Sequence, residues 1–408
     1  MDWIYLDNNA TTQPADEVVG AMTQMLESLW ANPSSVHRFG QSVRQRVEGA
    51  RAAVANLLGT RPRSIIFTSG GTESDNLAIR GLLDQTLGDQ CGGCLITSSI
   101  EHSAVQEPAE AFQAADGQVR CLPTDPDGTV EPRVLLESIK NLELETDKDN
   151  CIVLVSIQLA NNETGVIQPM AELTRCVQEV RAEAAARGQR RKIFFHTDAT
   201  QAVGKIPVDV EQLGVDLLTL SAHKIHGPKG IGALFIRSGV RARPQLLGGP
   251  QERLLRGGTE NSAGIVGFGM AAELATVFLQ DKTRIDGLRG LRDRLERGIT
   301  DAIPDAQIHS KSADRLWNTS NIGFPSLEAE AILLGLSERG VCASAGAACS
   351  SGSLEPSPVL RAMGIPDRIA HGSVRFSLSR YTGDQQIDEA IRVVPQVIHR
   401  LRRTLPVT

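Results

Sequence analysis

No stretch of the chain approaches about 18 unbroken apolar residues, the length a membrane-spanning helix needs, so none is expected to cross a membrane. The first residues, MDWIYLDNNATT, hold no basic segment and no long apolar run, and do not read as a secretory signal. Excess charge is also missing. A net charge of −6 and a pI of about 5.8 argue against nucleic acid or an anionic membrane surface as the main partner. The seven cysteines are odd in number and irregularly spaced, a poor disulfide framework. A reducing, cytoplasmic location is therefore expected. Internal repeats and low-complexity linkers are absent. What is present is ordinary globular material: 408 residues, 41% hydrophobic and 22% charged, beyond the size at which one core keeps growing, so two domains are expected.

Periodicity supplies the organisation. Val18, Met22, Met25 and Leu29 recur at helical spacing after Pro14, and Val43, Val47, Ala50, Val54 and Leu57 do so before Gly59. Short apolar runs then alternate with helical segments: SIIFT (64–68), CLITSS (94–99), CIVLVSIQL (151–159), IFFHTDA (193–199), LLTLS (217–221) and GALFIRS (232–238). That alternation predicts an α/β domain around a mostly parallel sheet, with ligands beyond the carboxyl ends of its strands. After about Gly264 the texture changes to long amphipathic helices (about 287–299, 327–339 and 384–403) flanking a few strands, which predicts a smaller α+β domain. The polar stretch 140–150 reads as a surface excursion.

The informative polar residues sit at strand ends. Gly70, Gly71 and Thr72 follow the first run; two glycines allow close backbone approach, and Thr72 is placed to cap the next helix, whose N-terminus is either a turn or a phosphate site. Asp198 closes IFFHTD, as a helix cap, an ion-pair partner or a ligand group. Lys224 follows LLTLS directly, on a surface turn or in a cleft suited to Schiff-base chemistry. GPKGIG lacks the Gly-Lys-Ser/Thr ending of a nucleotide-binding loop. His102 also lies at a strand end, where an imidazole can stack on a ring or move protons. One cofactor unites a lysine imine, a carboxylate on a pyridine nitrogen and a helix N-terminus on a phosphate: pyridoxal 5′-phosphate.

Nine segments carry a family likeness: YLDNNATT, FTSGGTESDN, EH at 101–102, NNETGV, HTDATQAVGK, SAHKIHGPKGIGAL, GGTEN, ACSSGSLEPS and VRFSLSR. In this order they resemble the motifs of the cysteine desulfurases, class V aminotransferase-like enzymes of the fold-type I pyridoxal phosphate group. The likeness covers nearly the whole chain. The long segment around Cys349 is similar to the extended catalytic loop of the nitrogen-fixation and iron–sulfur-cluster type. The resemblance implies a large domain over 14–263, and a small one from 1–13 with 264–408 that carries the loop at about 343–357. It implies Lys224 as the cofactor's imine partner, Asp198 on the ring nitrogen and Gln201 on the ring oxygen. Thr72, Ser221, His223 and the Gly71 backbone would hold the phosphate. Thr259 would reach the phosphate of a neighbouring subunit, hence a homodimer. His102 would stack on the ring and act in acid–base steps. Asn162 and Arg375 would bind the substrate carboxylate; Arg375 also alternates with Val374 and Phe376, which puts it on the polar face of its strand. The chain departs from the family pattern at Ala347, Ala222 and Pro250, none of which removes a reacting group.

Cys349 sits in ASAGAACSSGSLEPS, among glycines, serines and alanines, with no local apolar wall to pack a thiol. Under the resemblance it is the nucleophile that takes sulfur from L-cysteine as a persulfide, leaving alanine, and passes it to an acceptor such as an iron–sulfur scaffold protein. A small-residue loop suits a thiol that must both attack and deliver. Selenocysteine lyase on the same fold, and a non-catalytic sulfur-assembly scaffold, are the alternatives. Cys91 and Cys94 have CxxC spacing, with Cys121 a candidate neighbour, but read as plain reduced thiols with no metal. Cys342 reads as packing, and His37, His309 and His399 are assigned nothing.

Overall fold

The computed structural model describes residues 3–87, 92–145, 151–189, 192–345 and 355–404. Strand β1 (Ile4–Tyr5) precedes helices α1 (Asp16–Ser28) and α2 (Arg38–Leu57). The His37 ring accepts from the Gly40 N–H to start α2, and Gly59, at φ +65°, takes the left-handed conformation just beyond its end. There follow β2 (Ile65–Thr68), α3 (Gly71–Leu83), β3 (Gly93–Ser98), α4 (Ser103–Ala114), β4 (Gln118–Leu122), α5 (Pro132–Glu145), β5 (Ile152–Ser156), α6 (Met170–Ala186), β6 (Lys192–Asp198), α7 (Val210–Leu213), β7 (Leu217–Ser221) and β8 (Gly232–Ile236). The strands form one seven-stranded sheet in the order β2-β8-β7-β6-β5-β3-β4. Pairing is parallel from β7 through β4, and β8 runs antiparallel to both its neighbours.

Alternate residues of these strands feed two cores, which makes a three-layer α/β/α stack. Val153 and Val155 of β5, with Leu218 and Leu220 of β7, join the larger core under α1, α2, α5, α6 and α8 (Ser262–Gln280). Leu154 and Leu217 face the opposite way, into the core shared with α3 and α4. Both faces are covered, so the strands read as continuous apolar runs.

The C-terminal part adds α9 (Lys282–Ala302), β9 (Gln307–Ile308), β10 (Thr319–Gly323), α10 (Ala329–Ser337), β11 (Val341–Cys342), α11 (Pro358–Ala362), α12 (Asp367–Ala370), β12 (Ser373–Ser377) and α13 (Asp384–Thr404). An antiparallel sheet, β12-β10-β9, packs with α9, α10 and α13 around a core of its own. Strand β1 pairs in parallel with β11, and Asp7 bridges to Ser377, so the first residues are stitched to the last sheet.

Three expectations change. Residues 140–145 are not a surface excursion: they continue α5, and Leu135, Ile139 and Leu142 make one buried stripe that the charged neighbours hid. Gly70, not Thr72, caps α3, and it does so without a side chain, so Thr72 stands inside the first turn. Gly264 lies in the first turn of α8, whose Ile265, Phe268 and Ala272 belong to the larger core. By length and composition α8 is the one helix among the described residues long and apolar enough to cross a membrane, and here it packs between α1 and α2.

Close approach sets that packing. A Cβ on Gly269 of α8 would lie 2.6 Å from the Ala50 Cα of α2. Gly269→Ala is expected to destabilise by about 1–3 kcal/mol through overpacking, more than the roughly 1 kcal/mol that alanine gains in a helix. Gly287→Ala on the exposed side of α9, where a Cβ meets nothing within 4 Å, is expected to stabilise. Opposite shifts in thermal midpoint verify the pair, and equal shifts refute it.

Candidate active site

A cavity of about 490 Å³ opens at the carboxyl ends of the sheet strands, lined by Asn9, Asp198, Gln201, Ser221, Lys224 and their neighbours. Pro358, Val359 and Arg375 from the C-terminal part line it as well. Lys224 ends the tight turn that leaves β7, and its Nζ donates to the carbonyls of Asn9 (2.6 Å) and Ala10 (2.7 Å). The Asn9 carbonyl also accepts from Gln201 Nε2 at 2.9 Å. Gln201 Oε1 in turn accepts from Lys205 Nζ at 2.6 Å.

The N-terminus of α3 and the end of β7 build an anion-seeking corner. The first-turn N–H groups of α3 have no intrahelical acceptors, and Gly70 offers no capping side chain. Beside them the hydroxyls of Ser221 and Thr200 are buried without a hydrogen-bond partner. The Thr200 Oγ1 stands 3.2 Å from where a Gly71 Cβ would be. His223, whose Nδ1 lies 3.2 Å from Thr11 Oγ1, is pushed down to about 4 by burial and then by Lys224, and stays neutral.

At the other end Asp198 closes β6, with Oδ1 accepting from the Thr200 N–H at 2.9 Å. Behind it lies buried Asp75, with His196 Nε2 at 3.5 Å; burial and then Asp198 push its carboxyl well up. His102 is the N-cap of α4, its Nδ1 accepting from the Ala104 N–H at 3.1 Å, which assigns its proton to Nε2. Burial lowers its pKa, Asp198 opposes that and Lys224 adds to it, so the ring is neutral at pH 7. Glu101 beside it accepts from Ser98 Oγ and the Gln158 N–H, and burial pushes it up to about 8.

Arg375 lies at the centre of β12, only 2% exposed; every residue of that strand is buried, so the polar face is an interior one. Its Nη2 pairs with Asp7 at 2.7 Å and its Nη1 donates to the Asn162 carbonyl at 3.0 Å. The strand also brackets the segment around Cys349: Arg375 N–H donates to Ser344 O at 2.7 Å. Ser357 Oγ donates to Glu163 Oε2 at 2.6 Å at the segment's far side. Cys349 and Cys91 lie outside the described residues.

The cavity thus gathers Gly71, Thr72, His102, Asn162, Asp198, Gln201, Ser221, His223, Lys224 and Arg375. Thr259 is exposed and does not line it. Cys121 pairs in register with Thr97, three residues along β3 from Cys94, so those two thiols are apart. Sequence reasoning missed Asn9, Thr200, Lys205, Asp7 and Asp75. All five lie in or beside motifs it quoted, but a polar residue there looks like turn chemistry until its buried partners are known.

The fold and the cavity define a fold-type I pyridoxal phosphate enzyme, an α/β protein with a lysine and an aspartate at adjacent strand ends. Residues 4–390 match the family described as Aminotransferase class-V, and the chain belongs to it. It is 46% identical over 406 residues to cysteine desulfurase 2 of Trichormus variabilis, covering 100% of this chain and 96% of that one. It is 44% identical over 405 residues to cysteine desulfurase NifS of Azotobacter vinelandii, covering 99% and 94%. Among solved structures it superposes on a NifS-like protein with a TM-score of 0.86 at 34% identity, over 98% of this chain and 100% of that one. It also matches SspA in complex with cysteine, with a TM-score of 0.75 at 31% identity over 93% and 99%. Pyridoxal phosphate is the cofactor of this family, and the residues fit it: the orphaned Ser221 and Thr200 hydroxyls and the uncapped α3 terminus suit a phosphate, and Asp198 suits a ring nitrogen.

Glu101 generates a pH-dependent stability. Its folded pKa of about 8 lies above the ordinary 4.5, so the fold favours the protonated form. That contribution is complete below the ordinary value and is lost as pH rises through the folded one. Glu101→Gln cannot ionise, so its thermal midpoint relative to wild type is expected to rise from about pH 5 to about pH 9. A difference that stays flat across that range refutes the assignment.

Proposed function

We propose that the protein is a cysteine desulfurase, converting L-cysteine to L-alanine and carrying the sulfur away on Cys349. The observation that carries this reading is the convergence of Lys224, Asp198, His102 and the buried Arg375 on one cavity. When bound, pyridoxal phosphate supplies an amine-condensing carbonyl and a ring that withdraws electrons from the attached carbon. Asp198 keeps the ring nitrogen protonated, and Gln201 donates to the ring oxygen. Gly71, Thr72, Ser221 and His223 hold the phosphate, with Thr200 added by its orphaned hydroxyl. Arg375 and Asn162 receive the substrate carboxylate; Asp7 already orients the guanidinium for a forked contact. Lys224 Nζ would take the proton from the substrate α-carbon, and His102 serves as a neutral ring that stacks and exchanges the proton on Nε2.

The Cys349 thiolate attacks the substrate sulfur. A sulfur–sulfur bond forms and the carbon–sulfur bond breaks. The electron pair left on carbon takes a proton, so the products are alanine and a Cys349 persulfide. An acceptor protein, of the kind that assembles iron–sulfur clusters, then takes the outer sulfur. We divide the chain into a large unit on the seven-stranded sheet and a smaller one that carries 343–357. The assembly is a homodimer in the cytoplasm. Support for the dimer comes from apolar side chains left exposed on the larger unit, Trp30, Val36, Leu247 and Leu254, and from Thr259, exposed where it reaches for a neighbour's phosphate. The thiols of Cys121, Cys151, Cys176 and Cys342 are unbridged, which suits a reducing compartment.

Lys224→Ala is expected to lose both the visible absorbance of the loaded enzyme and all turnover. Cys349→Ala is expected to keep the absorbance and to make no alanine. Mass spectrometry after brief exposure to cysteine should find one reducible sulfur on the Cys349 peptide before any other. Normal alanine release by Cys349→Ala, or first labelling of another cysteine, sinks the mechanism. Sedimentation as a fully active monomer would remove the role of Thr259.

A further inference from the structure

Lys205 is a buried lysine behind the cavity wall, next to Gln201, that the chemistry above leaves unused. It is 6% exposed, and no carboxylate pairs with it among the described residues. Its Nζ has two acceptors, Gln201 Oε1 at 2.6 Å and Asn9 Oδ1 at 3.3 Å. Burying an amine on two neutral oxygens carries a desolvation cost that a surface position would avoid. The charged groups that face it are Lys224 and Arg375, the latter paired with Asp7, and burial followed by these cations pushes its pKa well down.

The geometry gives this amine a task. An amide has two ends, and which end points where is decided by its hydrogen bonds. Lys205 donates to Gln201 at 2.6 Å, and with the Gln201 Nε2 end held on the Asn9 carbonyl, which can only accept, the amine meets the carbonyl end. The Nε2 end is thereby turned the other way, where one hydrogen goes to the Asn9 carbonyl at 2.9 Å. Its second hydrogen remains for a ligand in the cavity that Gln201 lines. We propose that Lys205 is a positioning residue that locks the Gln201 amide so that an N–H, and not the carbonyl, meets the cofactor's ring oxygen. Through Asn9 Oδ1 it also steadies the residue whose carbonyl holds Lys224 Nζ. This rests on the cofactor placement proposed above.

The readout is the pH titration of the visible absorbance of the cofactor-loaded enzyme. A donor on the ring oxygen draws negative charge from it and weakens its hold on the neighbouring nitrogen's proton. Losing the donor therefore raises the pH at which that proton leaves. Gln201→Leu is expected to move the midpoint up by about one unit, the equivalent of one hydrogen bond to a charged oxygen. Lys205→Met, which keeps length and removes the amine, is expected to move it up by a comparable amount. Lys205→Met added to Gln201→Leu is expected to move it no further, because the residue that Lys205 orients is gone. An unchanged midpoint in Lys205→Met overturns the proposal, as does a full additional shift in the double variant, which would mark direct action of the lysine charge. If Lys205→Met fails to fold, Lys205→Gln carries the test: it keeps an N–H donor and is expected to hold the wild-type midpoint, and a shift as large as that of Gln201→Leu overturns the proposal. Failure of the underlying placement is a separate result, seen as a Gln201→Leu midpoint equal to wild type.

Discussion

Asn9 is where the molecule is tied together. Its N–H donates to Ser377 Oγ, and its Nδ2 donates to the Asn162 carbonyl and Thr319 Oγ1. Its Oδ1 accepts from Lys205 and Asn318, and its carbonyl accepts from Gln201 and Lys224. Partners on both the large sheet and the C-terminal sheet thus meet on one buried asparagine. Each such bond is worth only about 1 kcal/mol net, but leaving any of these buried groups unmade costs more than the bond contributes. The position of Lys224 over the cavity is a consequence of this knot, because the carbonyls that hold its amine belong to Asn9 and Ala10.

Charge in the cavity is handled by burial as much as by pairing. Arg375 has Asp7 for a partner, whereas Lys205 has only neutral oxygens. Around them burial disfavours charge: it pushes His223 and His196 down, and Asp75 and Glu101 up. Ionic character is therefore concentrated on a few side chains that face the cavity. The Arg375 guanidinium is held oriented and desolvated by Asp7, in a setting where solvent screens it little.

Most of the architecture was legible because the strands are buried on both faces and the turns carry glycine. SIIFT, LLTLS and GALFI have no other stable home, and the strand-end placement of Asp198 and Lys224 follows from the same runs. Partner identity was not legible. The alternation in SVRFS correctly separates Arg375 from its apolar neighbours, but nothing in the local sequence says that Asp7, at the opposite end of the chain, makes an interior position tolerable. The α5 extension was masked because Leu142 stands among charged residues, and one apolar residue per turn is too thin a stripe to announce itself. Thr72 was misplaced by a residue or two because glycine can cap a helix without a side chain, which leaves no chemical mark to read.

The pairing of Asp7 and Ser377 with each other's surroundings has an outcome for biosynthesis. The cavity needs β12, and β12 is made from residues 373–377 of a chain of 408. A nascent chain that already exposes the whole seven-stranded sheet still lacks Arg375 and the Ser377 hydroxyl that receives Asn9. Until residues 373–377 have been made and have folded, the first-made segment has no C-terminal sheet to anchor it. Lys224 is made long before its amine has a settled acceptor. The finished cavity therefore forms only after the C-terminal sheet has folded, and the N-terminal segment is the piece of polypeptide that must stay available until that sheet arrives.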